Sequence, residues 1–426
     1  MSVASGTGPC SAIPGSAGAR IIVDIEAENS LGTYESRARY ISRRLLLSRT
    51  APLAIEIGLD GFFDAHYNDT TCDCHDSDFT YEGYDHYCVN TFKFFDQARR
   101  LIRLAVGHAG EHMARWASLS IDFSMRCLGY LEDEPRSMRL LADLKHPTPN
   151  LTVLSLKGID GSFEFLLPAL SSLTRYECGF NGRIRHLNMP WSSLRSLEFS
   201  WLGSPDCGDL LYIPTCTRLD SLCIRYFVPL RPETLESLKH SNPFKCTLPS
   251  LTSLELLYII PLDITSFNLP SLINLTLAAP ESFKDPQEKS WEATMCRVGQ
   301  ISTLAANVRR LNLLHRVTKT RDYTEFQAPQ VRLVEMLSYM PKLEEIHLPS
   351  TLYLCVRNTL REDLDVVPHL ERIFIVPEKG YPILIDGKNH MPRSGNANWR
   401  VSIPLLLPGK FRSSARIRLD WLIPRI

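Results

Sequence analysis

Two nonapeptides, LPSLTSLEL at Leu248–Leu256 and LPSLINLTL at Leu269–Leu277, restrict the possible folds of this chain more than any other stretch. In each, a proline precedes Leu-x-x-Leu-x-Leu, so the apolar residues advance by three and then by two. The alternating end of that pattern is the period of a strand with one buried face. The copies stand 21 residues apart. A unit that short cannot bury its own apolar face and must stack on a neighbour built the same way.

The same phase runs through most of the chain. First-position residues fall at Leu151, Leu173, Leu194, Leu219, Leu251, Leu272, Val308, Leu343 and Leu370, at intervals of 22, 21, 25, 32, 21, 36, 35 and 27 residues. Pro149, Pro249, Pro270, Pro341 and Pro368 lie two places earlier, where proline's missing N–H ends the connection and begins the strand. Such phasing predicts an α/β irregular leucine-rich-repeat solenoid, with a curved parallel sheet on the concave face and helices and loops on the convex face. Long intervals hold helical stretches at Trp291–Asn307 and Val331–Met340, and short ones hold only a turn.

Upstream of the array, residues 1–19 read as a flexible Gly/Ser/Pro-rich tail. Residues 20–115 form a strand-helix-strand cap. RIIVDIEA is its first strand, and YESRARYISRRLLLSR is an amphipathic helix with Tyr40, Ile41, Leu45 and Leu46 among arginines. Leu53, Ile55, Ile57 and Leu59 then alternate as a strand. A polar acidic loop at 60–90 precedes a helix with Phe92, Phe95, Ala98, Leu101, Ile102 and Ala105 on one side. Trp116, Leu119 and Ile121 enter the three-then-two phase, and Pro135 opens a short helix. The solenoid spans 116–376. A C-terminal cap at 377–426 contains the candidate closing strands VSIPLLLPGK and ARIRLDWLI.

Composition excludes some partners. Of 426 residues, 47 are basic and 47 acidic, so the long-range field expected of a nucleic-acid binder or a protein on an anionic membrane is missing. No signal-peptide core and no apolar run of membrane-spanning length occurs. We therefore expect neither a nucleic-acid nor a membrane partner, and a cytoplasmic or nuclear location. In that compartment the 12 cysteines are thiols, several at repeat core positions.

Residues between the strand leucines point away from them, onto the concave face. Serine and charge dominate the first half of that ladder, apolar residues its last third. Arg225, Glu255, Asn274, Arg310, Asn312, His347, Arg372 and Phe374 are the candidate binding residues. Arg225, Arg310 and Phe374 lead, because arginine and aromatic side chains concentrate interface energy.

Two constellations have metal-ligand chemistry. Cys72, Cys74, His75, His86 and Cys88 offer thiolates and imidazoles, with Cys72, Cys74, His86 and Cys88 a weak four-ligand zinc candidate and a variable acidic loop the alternative. HAGEH, His108 to His112, matches His-x-x-Glu-His. On a helix His108 and His112 would share one face with Glu111 nearby, as in zinc peptidases. Gly107 and Gly110 weaken that helix, so structural or surface histidines are preferred. No nucleophile elbow, phosphate-cradling loop or dinucleotide fingerprint occurs in a fitting context. We expect no enzyme activity and no cofactor.

The order of these elements resembles that of the fungal, basidiomycete-type F-box proteins. The resemblance covers roughly Arg20 to Val376 and is carried by SRTAPLAIEI, HMARWASLSI and PNLTVLSLKGI with the later Pro-x-Leu repeats. It implies repeats that present a target protein for ubiquitination and an F-box that docks the adaptor of a cullin-type ligase. No Leu-Pro-x-Glu opening is found before Arg20, which puts adaptor docking in doubt. Either coding sequence lies upstream or this is a relative that binds without recruiting a ligase.

Overall fold

A four-residue turn starts each repeat. In the computed structural model the first-position N–H donates to the carbonyl three residues earlier in ten successive units: Trp116 to Met113, then Leu151 to Thr148, Leu173 to Leu170, Leu194 to Trp191, Leu219 to Cys216, Leu251 to Leu248, Leu272 to Leu269, Val308 to Ala305, Leu343 to Met340 and Leu370 to Val367. The proline of the motif is the second residue of that turn, where its fixed φ is pre-set and its N–H is not needed. Its role is therefore to shape the turn, rather than only to end a connection. Units without proline place Ala114, Ser171, Ser192, Thr217 or Ala306 there. Residues at the turn's first position are buried as well, among them Thr148, Leu170, Cys216, Leu248, Leu269, Ala305, Met340 and Val367.

The structure describes residues 19–24, 31–58, 89–123, 140–157, 167–168, 170–179, 189–201, 209–226, 246–257, 267–278, 305–314, 328–349, 353, 366–376, 383–386 and 401–402. The chain divides into two units, Met1–Pro190 and Trp191–Ile426. The first carries strands β1 (Ala19–Asp24), β2 (Leu53–Gly58), β3 (Trp116–Asp122), β4 (Val153–Lys157) and β5 (Arg175–Gly179), with helices α1 (Leu31–Ser48) and α2 (Val89–Val106). Its strands pair in chain order, all parallel.

The second unit carries β6 (Ser196–Trp201), β7 (Ser221–Tyr226), β8 (Cys246–Thr247), β9 (Ser253–Leu257), β10 (Phe267–Asn268), β11 (Asn274–Ala278), β12 (Arg310–Leu314), β13 (Glu345–Pro349) and β14 (Arg372–Val376), with α3 (Ala328–Ser338). Strands β6, β7, β9, β11, β12, β13 and β14 are parallel, while β8 and β10 form a separate two-stranded sheet. Two antiparallel strands, β15 (Ile383–Asp386) and β16 (Val401–Ser402), follow β14. Val401 and Ser402 belong to the predicted VSIPLLLPGK strand, whereas ARIRLDWLI lies outside the described residues. Both units are built of the same repeat, an α/β leucine-rich-repeat solenoid.

Stacking is locked by the backbone just after each first leucine. The Thr152 carbonyl accepts from both Thr174 and Arg175 N–H, Arg195 from Asp220 and Ser221, Asp220 from Thr252 and Ser253, Thr252 from Ile273 and Asn274, and Arg309 from Glu344 and Glu345. Both lone pairs of each carbonyl are thus used. A polar residue just before the first position adds a side-chain bond to the preceding unit: Asn150 Nδ2 to Ala114 O at 2.7 Å, Ser250 Oγ to Thr217 O at 3.4 Å and Asn307 Nδ2 to Pro270 O at 2.9 Å.

Leucines of the motif form the core. Leu151, Leu154, Leu173, Tyr176, Leu194, Leu197, Leu219, Leu222, Leu272, Leu277, Leu311 and Leu313 are buried, while Leu256, Leu370 and Ile375 are half-buried. In the first unit Ile21, Val23, Leu53, Ile55 and Ile57 of the strands are buried, as are Ile41 of α1 and Ala98, Leu101, Ile102 and Ala105 of α2. Leu46, expected on the apolar side of α1, is 77% exposed and Leu47 66%. The helix turns Ile41 inward, and a residue five places on falls on the opposite side of a 3.6-residue turn. The segment at 140–143, in the described part of the helix expected after Pro135, is a turn. No described helix is long and apolar enough to cross a membrane.

Leu311→Ala is expected to lower the unfolding free energy by about 2–5 kcal/mol, the range for a buried leucine replaced by alanine. Asn307→Ala should cost about 1 kcal/mol, one hydrogen bond's net value. Urea titration checks both, with an unchanged midpoint for Leu311→Ala refuting the stacked core.

Candidate functional site

In-register parallel pairing sets equivalent residues side by side on the outward face of the second unit. Ser221, Ser253, Asn274, Arg310, Glu345 and Arg372 form one row across β7, β9, β11, β12, β13 and β14. Two residues further on, Cys223, Glu255, Thr276, Asn312, His347 and Phe374 form a second. With strands about 4.8 Å apart, six of them span roughly 24 Å. Seven of the eight predicted residues stand in these two rows, and Arg225 stands in the next, beside Ser200. The structure therefore brings all eight to one face of one unit.

They do not all stand free. At one end of the rows, Glu345 accepts from Arg372 Nη2 at 2.9 Å and lies 2.8 Å from His347 Nε2, so both of its oxygens are engaged. The His347 ring stacks on Phe374, centroids 4.3 Å apart and planes 20° from parallel. Asn312 Nδ2 donates to Thr276 Oγ1 at 3.1 Å. Arg310, opposite Glu345, is exposed, and its side chain makes no ion pair or hydrogen bond among the described residues. Leu314, at the end of β12, is 41% exposed.

At the other end Arg225 Nη2 pairs with Glu198 Oε1 at 3.2 Å. Cys223 lies between Glu198 and Glu255 across adjacent strands and is buried. Burial pushes its thiol pKa up, and the Glu198 and Glu255 carboxylates push the same way against the Arg225 guanidinium. Burial alone would lower Arg225, but Cys223, Glu198 and Glu255 outweigh it. The first unit has its own pairs, Lys157 with Glu177 at 2.8 Å and Arg20 with Glu56 at 2.5 Å. A Cβ on Gly179 would lie 3.0 Å from Lys157 Cγ, so glycine leaves room for that lysine.

The first unit also holds a groove of about 1130 Å³ beside α1 and α2. His108, Glu111 and His112 line it, but not from a helix. Helix α2 ends at Val106, and Gly107 and Gly110 take φ of +87° and +77°. The Val106 carbonyl accepts from the His112 N–H at 3.1 Å. Glu111 folds back, its Oε2 accepting the Ala109 N–H at 2.9 Å. That bond leads the causes that hold its carboxyl below the usual range, followed by its own N–H, with the His108 N–H and the His112 charge also contributing against desolvation. Any Cβ on Gly107 would collide with this carboxylate, and one on Gly110 with the His146 ring. Glycine at both positions therefore breaks the helix that the zinc-peptidase pattern requires, and Glu111 closes the turn.

Among the described residues no group of three or more His, Cys, Asp or Glu is placed to hold a metal ion. Cys72, Cys74, His75, His86 and Cys88 lie outside the described residues.

Sequence reasoning missed the arginines of this groove, Arg49, Arg100, Arg103 and Arg115. Arg99 and Arg103 share one acceptor, Asp143 Oδ2, through their Nε atoms at 3.1 and 2.8 Å. Burial would raise Asp143, but hydrogen bonds and charge from Arg103 and Arg99 hold it below the usual carboxylate range. Arg115 donates to Ala51 O from Nε and Nη2 and to Ser48 Oγ at 2.6 Å. Arg49 sits at φ 45° just past the C-terminus of α1, a position where glycine or asparagine is the usual occupant. The available signal was the spacing of Arg99, Arg100 and Arg103 on α2, which reads equally as a solvated face.

No protein-family model matches the chain, and no curated protein matches its sequence. Among solved structures, the leucine-rich repeat-containing protein LegL7 from Legionella pneumophila is similar at 15% identity and a TM-score of 0.30, over 62% of this chain and 85% of its own. A Bacteroides fragilis protein is similar at 14% identity and a TM-score of 0.29, over 66% and 67%. Scores this low carry no weight, and the repeat assignment stands on the turns and strand register above.

Four described cysteines, Cys178, Cys216, Cys223 and Cys246, are buried free thiols. Burial pushes Cys216 up to about 12 and Cys246 up to about 11. A thiol whose pKa is raised by folding stabilises the fold fully below the unfolded value of about 8.5 and loses that contribution as pH rises toward the folded value. Stability is expected to fall between about pH 8.5 and 11, less steeply in the Cys216→Ala/Cys246→Ala variant. Site-resolved alkylation at pH 8.5 should leave both thiols unmodified until urea unfolds the chain.

Proposed function

We propose that this chain is a protein-recognition module, binding a partner protein on the outward sheet face of its second unit around β12, β13 and β14. The observation that carries this is the preassembled group Glu345, His347, Arg372 and Phe374, next to the unpaired Arg310. Aromatic and arginine side chains dominate interface energetics. Here the aromatic pair is stacked and the arginine tethered before any partner arrives, which reduces the entropy lost on binding. Glu345, His347 and Arg372 are spent on one another and the remaining charged group beside them is a guanidinium, a set suited to contact rather than to proton transfer.

A finer reading makes the partner a target for a cullin-type ubiquitin ligase. It is supported by the sequence resemblance to fungal F-box proteins. A ligase-independent scaffold is the other outcome of the same experiment. Affinity capture with the tagged full chain, followed by crosslinking, should map the partner to β12–β14. Recovery of the ligase adaptor would favour the ligase reading, and a partner without adaptor the scaffold.

Phe374→Ala is expected to weaken the captured partner by about 10-fold or more, since a hot-spot truncation costs about 2 kcal/mol. Arg310→Glu should weaken it too without unfolding the chain, because Arg310 supports no internal pair. Unchanged affinity in both variants would place the interface elsewhere.

A further inference from the structure

The groove beside α1 and α2 is a second candidate binding site, chemically unlike the sheet face. Four arginines line it, against two carboxylates, Asp143 and Glu111, that are both already engaged. Arg99 and Arg103 reach Asp143 through Nε alone, so their Nη donors stay uncommitted among the described residues. Arg115 is held by Ala51 O and Ser48 Oγ with no carboxylate partner. Arg49 and Arg100 have no ion pair among the described residues. In a chain with 47 basic and 47 acidic residues, this is a local excess of positive charge. A concave site concentrates its field.

Two further observations fit a ligand. Arg49 occupies a left-handed backbone position just past α1 that favours glycine, and residues held in such sparsely populated regions cluster at ligand sites. On the α1 wall Leu46 is 77% exposed, next to Leu45. The groove, about 1130 Å³ and open to solvent, exceeds the roughly 300–1,000 Å³ usual for a small-molecule pocket, so the ligand would fill part of it.

We propose that this groove binds a phosphomonoester carried on an apolar or aromatic group, its phosphate held by the guanidiniums of Arg49, Arg103 and Arg115 and its apolar part against Leu45 and Leu46. Phosphate is preferred over carboxylate because its three oxygens accept from more than one planar guanidinium fork. The site is independent of the sheet face.

Calorimetric titration of the full chain with phenyl phosphate tests it. Phenyl phosphate should saturate one site and bind about 10-fold more tightly than inorganic phosphate, the worth of one buried apolar group of about 1.4 kcal/mol. Arg49→Gly should lose about 10-fold in affinity while its melting temperature stays equal or rises, because glycine relieves the backbone. Arg103→Gln should weaken binding as well, whereas Arg310→Glu on the sheet face should not. An acetylated phosphotyrosine amide that binds as tightly as phenyl phosphate assigns the phosphate to a modified partner side chain, and weaker binding assigns it to a free small molecule. Absence of saturable binding, equal affinity for inorganic phosphate, or native affinity in Arg49→Gly would each overturn the proposal.

Discussion

Each repeat depends on one hydrogen bond, from the N–H of its first apolar residue to the carbonyl three residues back. That bond closes a turn and places the buried side chain before it, Leu248 or Met340 for example, beside the first leucine. It also aims the next carbonyl at the following unit, where it accepts two N–H groups. Turn, core and stacking are therefore set by the same few atoms. Most of the free energy comes from the leucines, but their register comes from this turn.

Once stacking is fixed, the two sides of the sheet follow different rules. The leucine side is apolar and tolerates changes in connection length, because the intervening residues need only return to the next turn. On the outward side, chemistry is decided by which residues the register makes neighbours. Glu345 faces Arg372 on one side and Arg310 on the other, and a shift of a single residue would send all three into the core. The repeat phase thus brings Glu345 next to Arg372 and sets Glu198 diagonally across from Arg225.

This explains what was legible in the sequence. Strands Val153–Lys157, Arg175–Gly179, Ser253–Leu257, Asn274–Ala278, Arg310–Leu314, Glu345–Pro349 and Arg372–Val376 begin and end where the leucine phase places them. Membership of the outward rows was readable for the same reason. Pairing within the rows was not, since the partner of Arg372 depends on rotamers as well as register. Asn150, Ser250 and Asn307, which bond to the preceding unit, sit at a position the leucine pattern leaves open. The groove was the least legible feature. Its arginines come from Arg49, α2 and Arg115, segments far apart in sequence and joined only by packing, and its decisive conformation is the positive φ of a non-glycine residue.

Charge stoichiometry separates the arginines of this chain by role. Arg195 with Asp220 and Arg309 with Glu344 are exposed edge pairs, worth about 0–1 kcal/mol each. Arg225 and Arg372 sit on half-buried faces, each with a carboxylate of its own or shared with one histidine. There the opposite charge offsets desolvation, and the pair holds the face in one arrangement. In the groove the count differs, because Arg103 shares the Asp143 carboxylate with Arg99, which lies outside the lining, and Arg115 is held by neutral oxygens. That unbalanced charge distinguishes the groove from the paired arginines of the sheet face, Arg225 and Arg372.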